Sequence, residues 1–201
     1  MDKHAGHALC LTNREMCNVK HPLLLTLVVT ACLLTGTAAR AECQIQLSEA
    51  TIAYAPVTRG ELLSCPGNSL TSSELRLCDT RHLDITVSCD RSTPITLAFN
   101  SAAKDSSHYR FGNGGQATLI LHDVFIDNQP VTIDSAGQRG AEMAFTPGST
   151  LRFWQNNAPA LGRVLRGKVS ITSWISSKET RVNEAQTWEL NGAFVTGNPA
   201  N

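Results

Sequence analysis

The stretch that most constrains this chain is His82 to Phe99, HLDITVSCDRSTPITLAF. Leu83, Ile85, Val87 and Cys89 fall at alternate positions, the polar run Asp90 to Pro94 interrupts, and Ile95, Leu97 and Phe99 resume the alternation. Successive side chains of a strand point to opposite faces, so a period of two is the signature of a strand with one buried face. Two such runs around a polar break predict a β-hairpin. Cys89 lies on the apolar face, so its partner is expected to be another inward-facing cysteine.

The same period recurs elsewhere. Cys43, Ile45 and Leu47 alternate within Cys43 to Ala53, a first strand interrupted near Ser48-Glu49, and Tyr54 to Leu63 is expected to hold a short second piece. Gln116 to Asp127 predicts a strand with Leu119 and Leu121 on one face, followed by a short extension from Val131 to Ile133. Leu151 to Trp154 is a further short strand, with Gln155 to Gly162 a turn-rich bridge. In the run from Leu165 to Ile175, Leu165, Gly167, Val169, Ile171, Ser173 and Ile175 share one face. Trp188, Leu190, Gly192 and Phe194 alternate in TWELNGAFV. Cys65-Pro66-Gly67-Asn68 is turn chemistry, and Ser69 to Ser73, Ser101 to Gly115 and Asp134 to Ala141 read as loops. No helical stripe exceeds a couple of turns. About seven short strands separated by turns predict an all-β sandwich of immunoglobulin type.

The N-terminus predicts export. Lys20-His21 precede the apolar run Pro22 to Leu34, and Ala39-Arg40-Ala41 has the small-x-small form of a secretory cleavage site. Residues 1–41 are therefore expected to be a signal peptide, with Met16 an alternative start, and residues 42–201 the mature domain. Val29-Thr30-Ala31-Cys32 has the form of a lipoprotein box that would place a lipid on Cys32, but apolar residues continue beyond it, which favours ordinary cleavage. The run is shorter than the roughly 20 residues a membrane span needs. No transmembrane span is expected in the mature chain.

Removing the leader takes Cys10, Cys17 and Cys32 and leaves Cys43, Cys65, Cys78 and Cys89. An even set in an exported protein implies disulfides. Of the three pairings possible, Cys43 with Cys89 is favoured because both alternate with apolar neighbours, with Cys65–Cys78 nested inside. The first bridge is expected to join two strands through the core. Zinc is disfavoured, since the spacings of 22, 13 and 11 contain no C-x-x-C pair. The mature chain carries 13 basic and 15 acidic residues. The absence of a basic cluster argues against nucleic acid.

Candidate chemistry is sparse. His82, Asp84 and Ser88 share one stretch of strand, but nothing marks a nucleophile turn or an oxyanion hole, so no enzyme is expected. His122-Asp123 is similarly plain. Asp123, Asp127 and Asp134 lack the close oxygen repeat of a calcium loop. Gly112-Asn113-Gly114-Gly115 opens no helix, so a turn is expected there rather than a phosphate cradle. Trp154, Trp174 and Trp188 could stack on a sugar ring. Trp174, on the polar face of its strand, is the preferred of the three as a ligand-binding candidate, although a packing role at the sheet surface or groove rim is the favoured reading of it, and Trp188 is assigned to the core. No cofactor or metal is expected.

A cysteine opening the domain, a second ending an L-x-I-x-V-x-C strand, a following P-I-T-L-A-F, then F-G-N-G-G, A-T-L-I-L-H-D-V and V-T-I resemble bacterial chaperone-usher fimbrial subunits, in particular the minor pilin-like proteins. The resemblance spans most of Cys43 to Val195. It implies a sandwich lacking its last strand, whose apolar groove is filled first by a periplasmic chaperone and then by the N-terminal extension of the next fimbrial subunit, with an outer-membrane usher exporting the fibre to the cell surface. Two features depart from that pattern. Cleavage after Ala41 leaves only Glu42 ahead of Cys43, so the subunit could accept a strand but not donate one. The hypothesis that follows is a terminal, tip position with a part in adhesion to a host or surface receptor. The second departure is at the other end, where Phe194 is followed by Val195 and a polar tail, which leaves open that TWELNGAFV completes the sandwich. The alternative is a self-complete secreted β-sandwich that binds a carbohydrate or protein outside any fibre.

Overall fold

A computed structural model describes residues 42–181 and 186–197. The readings of residues 1–41, including Met16, Cys32 and the cleavage site, and of the ending after Gly197 lie outside the described residues. The described chain is an all-β sandwich of two antiparallel sheets. In chain order the elements are β1 (Cys43–Leu47), α1 (Arg59–Ser64), β2 (Glu74–Arg76), β3 (Arg81–Pro94), β4 (Thr96–Ser101), β5 (Tyr109–Phe111), β6 (Gly115–Ile126), β7 (Gln129–Pro130), β8 (Thr132–Ser135), β9 (Gln138–Gly140), β10 (Met143–Phe145), β11 (Leu151–Gln155), β12 (Ala158–Pro159), β13 (Leu161–Ser176) and β14 (Gly192–Gly197). The first sheet runs β1-β3-β13-β6-β10, with β2 added to β13 and β5 and β7 to β6; the second runs β14-β4-β11-β8-β9, with β12 on β11.

The expected hairpin at His82–Phe99 is corrected. Strand β3 continues through the polar interruption, where Thr93 and Pro94 still pair with Gly162 and Leu161 of β13. The chain then crosses at Ile95 into the other sheet, where β4 pairs with β11 and β14. A period of two reports only which side faces the core, and a strand that changes sheets at a corner keeps that period as well as a hairpin does. Ile85, Val87 and Leu165, Val169 from one sheet meet Leu97, Phe99, Ile133 and Leu151 from the other. The inward face of β13 is the expected one, with Leu165, Gly167, Val169, Ser173 and Ile175 all buried.

Tyr54 to Leu63 holds a helix rather than a strand. Thr58 accepts from the Glu61 N–H at 3.3 Å while the Glu61 carboxylate accepts from the Thr58 N–H at 2.7 Å, a reciprocal cap written in the sequence as T-x-x-E. Those Thr58 bonds hold the Glu61 carboxyl below its ordinary range. The helix buries Leu62 in a smaller cluster with Leu75, Leu77, Phe111 and Ile175. The supposed loop Ser101–Gly115 contains β5, whose Tyr109 and Phe111 are fully buried, and Asp134–Ala141 contains the β8–β9 hairpin. Short strands of three residues offer too few alternations to stand out among glycines and serines. No helix among the described residues is long and apolar enough to cross a membrane.

Candidate functional site at the sheet edges

The two sheets each end in an edge strand on the same side of the molecule. β1 pairs with β3 from Cys43↔Cys89 to Leu47↔Ile85, and β14 pairs with β4 from Gly192↔Ser101 to Gly197↔Thr96. Among the described residues neither strand has a ladder partner on its other side, yet their Cα atoms come within 8 Å of each other. An edge of unpaired N–H and C=O groups is a template for an added strand.

The inner side of β14 is firmly seated. Phe194 packs on Phe99 and Phe145 with ring centroids 4.8 Å and 5.5 Å apart. A side chain on Gly192 would meet the Phe99 ring at 2.3 Å, so glycine is what lets the strand approach β4. Thr96 Oγ1 donates to the Gly197 carbonyl and Thr196 Oγ1 to the Thr96 carbonyl, a reciprocal clasp at 2.7 Å and 2.8 Å. Val195, on the opposite side of β14, is 39% exposed, and Leu47 at the end of β1 is 37% exposed. The chain before β14 is anchored by Trp188 and Leu190, which reach the smaller cluster. Gly112 has φ +59° and its Cβ position lies 2.3 Å from Trp188 Cδ1. The F-G-N-G-G motif is thus a turn, as expected, and it forms the shelf for Trp188.

Both expected disulfides are present, Cys43–Cys89 and Cys65–Cys78. The first does not cross the core. Cys43 and Cys89 are direct register partners on neighbouring strands of one sheet, Cα atoms 4.0 Å apart, so the bridge ties the edge strand β1 to β3. Inward orientation of both cysteines is compatible with same-sheet neighbours as much as with facing sheets, and the sequence pattern could not separate them. The second bridge closes the loop behind α1.

The remaining candidates are dispersed. His82 turns to Ser170, its register partner, and not to Ser88; its Nδ1 lies 3.0 Å from Ser170 Oγ, which is 2.8 Å from His122 Nε2. A bulge at Asp123, φ 51°, brings Asp123 to the outer face as well, with its carboxylate 3.2 Å from His122 Nδ1 and 3.7 Å from Lys168. The order Asp123, His122, Ser170 is that of a hydrolase relay. Ser170 nevertheless sits mid-strand between two ladders, where neighbouring backbone N–H groups are committed to pairing and cannot serve a developing oxyanion. Asp127 accepts from the backbone of Arg163 and Val164, and Asp134 pairs with Arg139, so the three aspartates serve different places. Among the described residues no three His, Cys, Asp or Glu side chains gather as a metal site requires. Trp174 is half-buried between the register positions of Arg76 and Gln116, away from β14. The sequence matches no protein-family model and no curated protein.

Proposed function

We propose that this chain is a structural subunit of a chaperone-usher fimbria, assembled by addition of a strand between β1 and β14. The observation carrying the reading is that pair of edges, which share no ladder bond and flank the aromatic cluster of Phe194. Its partners would be a periplasmic chaperone, an outer-membrane usher and neighbouring subunits, and a terminal position with a part in adhesion is the corollary of cleavage after Ala41. N-terminal sequencing of the exported protein tests that corollary, which ten or more residues ahead of Cys43 would overturn. The assembly reading is tested by exporting the chain with and without a cognate fimbrial chaperone. Degradation alone with rescue as a one-to-one complex supports it; an equal yield of stable monomer in both strains rejects it.

A specific observation favours the second reading, a self-complete exported sandwich that binds its ligand outside any fibre. A strand inserted with ladders on both sides needs its flanking strands roughly 9.6 Å apart, two strand spacings. The approach of β1 and β14 within 8 Å is narrower. An added strand therefore needs the seam to widen where β1 and β14 approach, and a rigid seam would favour the binding module.

A further inference from the structure

The outer face of the second sheet carries a charged row that the seam does not use. Arg139 of β9, Asp134 of β8 and Arg152 of β11 are register partners across three strands. Asp134 is only 8% exposed, a depth at which a carboxylate needs a partner. Arg139 supplies it, donating through Nε to Oδ2 at 3.3 Å while its guanidinium lies 3.8 Å over the Trp154 ring. The other oxygen, Oδ1, and the exposed Arg152 guanidinium have no hydrogen-bond or ion partner among the described residues.

Asp134 and Arg152 line a cavity of about 400 Å³ together with Ser135, Ser149 and Thr150. It is a depression about half open to solvent rather than an enclosed pocket. Its walls are held in place. Ala136 and Gly137, φ 51° and 85°, form a tight turn between β8 and β9, and the Ser149 hydroxyl folds back on Thr146, donating to its carbonyl at 2.8 Å. Trp154, two residues along β11 from Arg152, has a buried Nε1–H that finds no partner among the described residues.

The Arg139–Asp134 pair is neutral, so Arg152 gives the cavity a net positive charge. A guanidinium fork takes a carboxylate or sulfate in bidentate fashion, while a half-free carboxylate and the Thr150 hydroxyl take neutral hydroxyl groups. A bare inorganic anion would satisfy Arg152 but face Asp134 Oδ1. A neutral sugar would satisfy Asp134 and leave Arg152 idle. We propose that this cavity binds an acidic saccharide, its carboxylate or sulfate on Arg152 and adjacent hydroxyls on Asp134 and Thr150. The site holds whether or not the chain enters a fibre, and Trp154, not Trp174, is the tryptophan beside it.

The test is a calorimetric and NMR titration of the mature protein, free if it is stable alone and otherwise as its one-to-one chaperone complex, with 3′-sialyllactose and a sulfated chondroitin disaccharide, and with lactose and sodium sulfate as controls. The account expects at least one acidic sugar to bind saturably, shifting the amides of Ser135, Gly137 and Thr150, with lactose and sodium sulfate roughly tenfold weaker or more, the scale of one charge-assisted contact. Arg152→Gln, at an exposed position, is expected to keep the melting temperature and weaken the acidic sugar about tenfold; Thr150→Ala weakens it less, and serves with Arg152→Gln should Asp134→Asn fail to fold. Binding of neither acidic sugar, sodium sulfate binding as tightly as the sugars, or an unaltered affinity in Arg152→Gln overturns the proposal.

Discussion

Replacing Phe194 with alanine probes the seating of β14 directly. A fully buried phenylalanine costs about 3–5 kcal/mol on truncation to alanine. Phe194 is half-buried, which leaves about 2 kcal/mol on that scale, and the lost ring contacts with Phe99 and Phe145 add about 0.5–1 kcal/mol together. For a domain of this size each kcal/mol moves the melting temperature by roughly 2–4 °C. The expected drop is therefore about 5–12 °C by the same scale. Val195→Ala, one residue on and facing the other way, removes methyl groups already half in water and should cost less than about 1 kcal/mol. Thermal circular dichroism of both variants, with disulfides intact, makes the comparison. Equal melting temperatures, or a larger drop for Val195→Ala, would refute the inward phase of β14.

Removing Cys43–Cys89, which closes a separation of 46, should cost about 4 kcal/mol against about 3 kcal/mol for Cys65–Cys78 at 13, as denaturant midpoints of the paired alanine variants will show. Gly112→Ala places a Cβ against Trp188 at a positive φ and should destabilise by about 1–3 kcal/mol, with a red shift of tryptophan fluorescence as the indole loses its shelf. Burial pushes the Tyr109 phenol up to about 12, above the ordinary value of 10.0. The fold thus favours the protonated ring: its stabilisation is present below pH 10 and is lost as pH rises towards 12, which alkaline melts of wild type and Tyr109→Phe will separate. Thr58→Ala removes the helix cap and should cost about 1 kcal/mol, read as faster proteolysis near α1.

Long alternating runs made β3, β6 and β13 legible, because each carries enough inward positions for the period to show. The same signal was blind to sheet membership: nothing in Asp90 to Pro94 distinguishes a turn from a corner, and the crossing at Ile95 is decided by packing between sheets. Strand β5 was hidden for the opposite reason, since its two buried rings sit in a stretch rich in Ser and Gly. The helix start is written in the Thr58–Glu61 spacing, but at six residues the helix is too short to show a periodicity against the surrounding strand pattern. Both disulfides followed from the inward alternation of Cys43 and Cys89 and the nesting of the other pair. The Arg139–Asp134–Arg152 row could not be read, because its members belong to three strands whose registers only the folded sheet defines.

The central claim is that β1 and β14 present open edges that accept a strand. Amide hydrogen exchange across Cys43–Leu47 and Gly192–Gly197, on the isolated mature chain and on its chaperone complex, tests it most directly. The account predicts that the amides facing away from β3 and β4 exchange rapidly in the isolated chain and become protected in the complex. Protection of those outward amides in the isolated chain, unchanged by the chaperone, would contradict it.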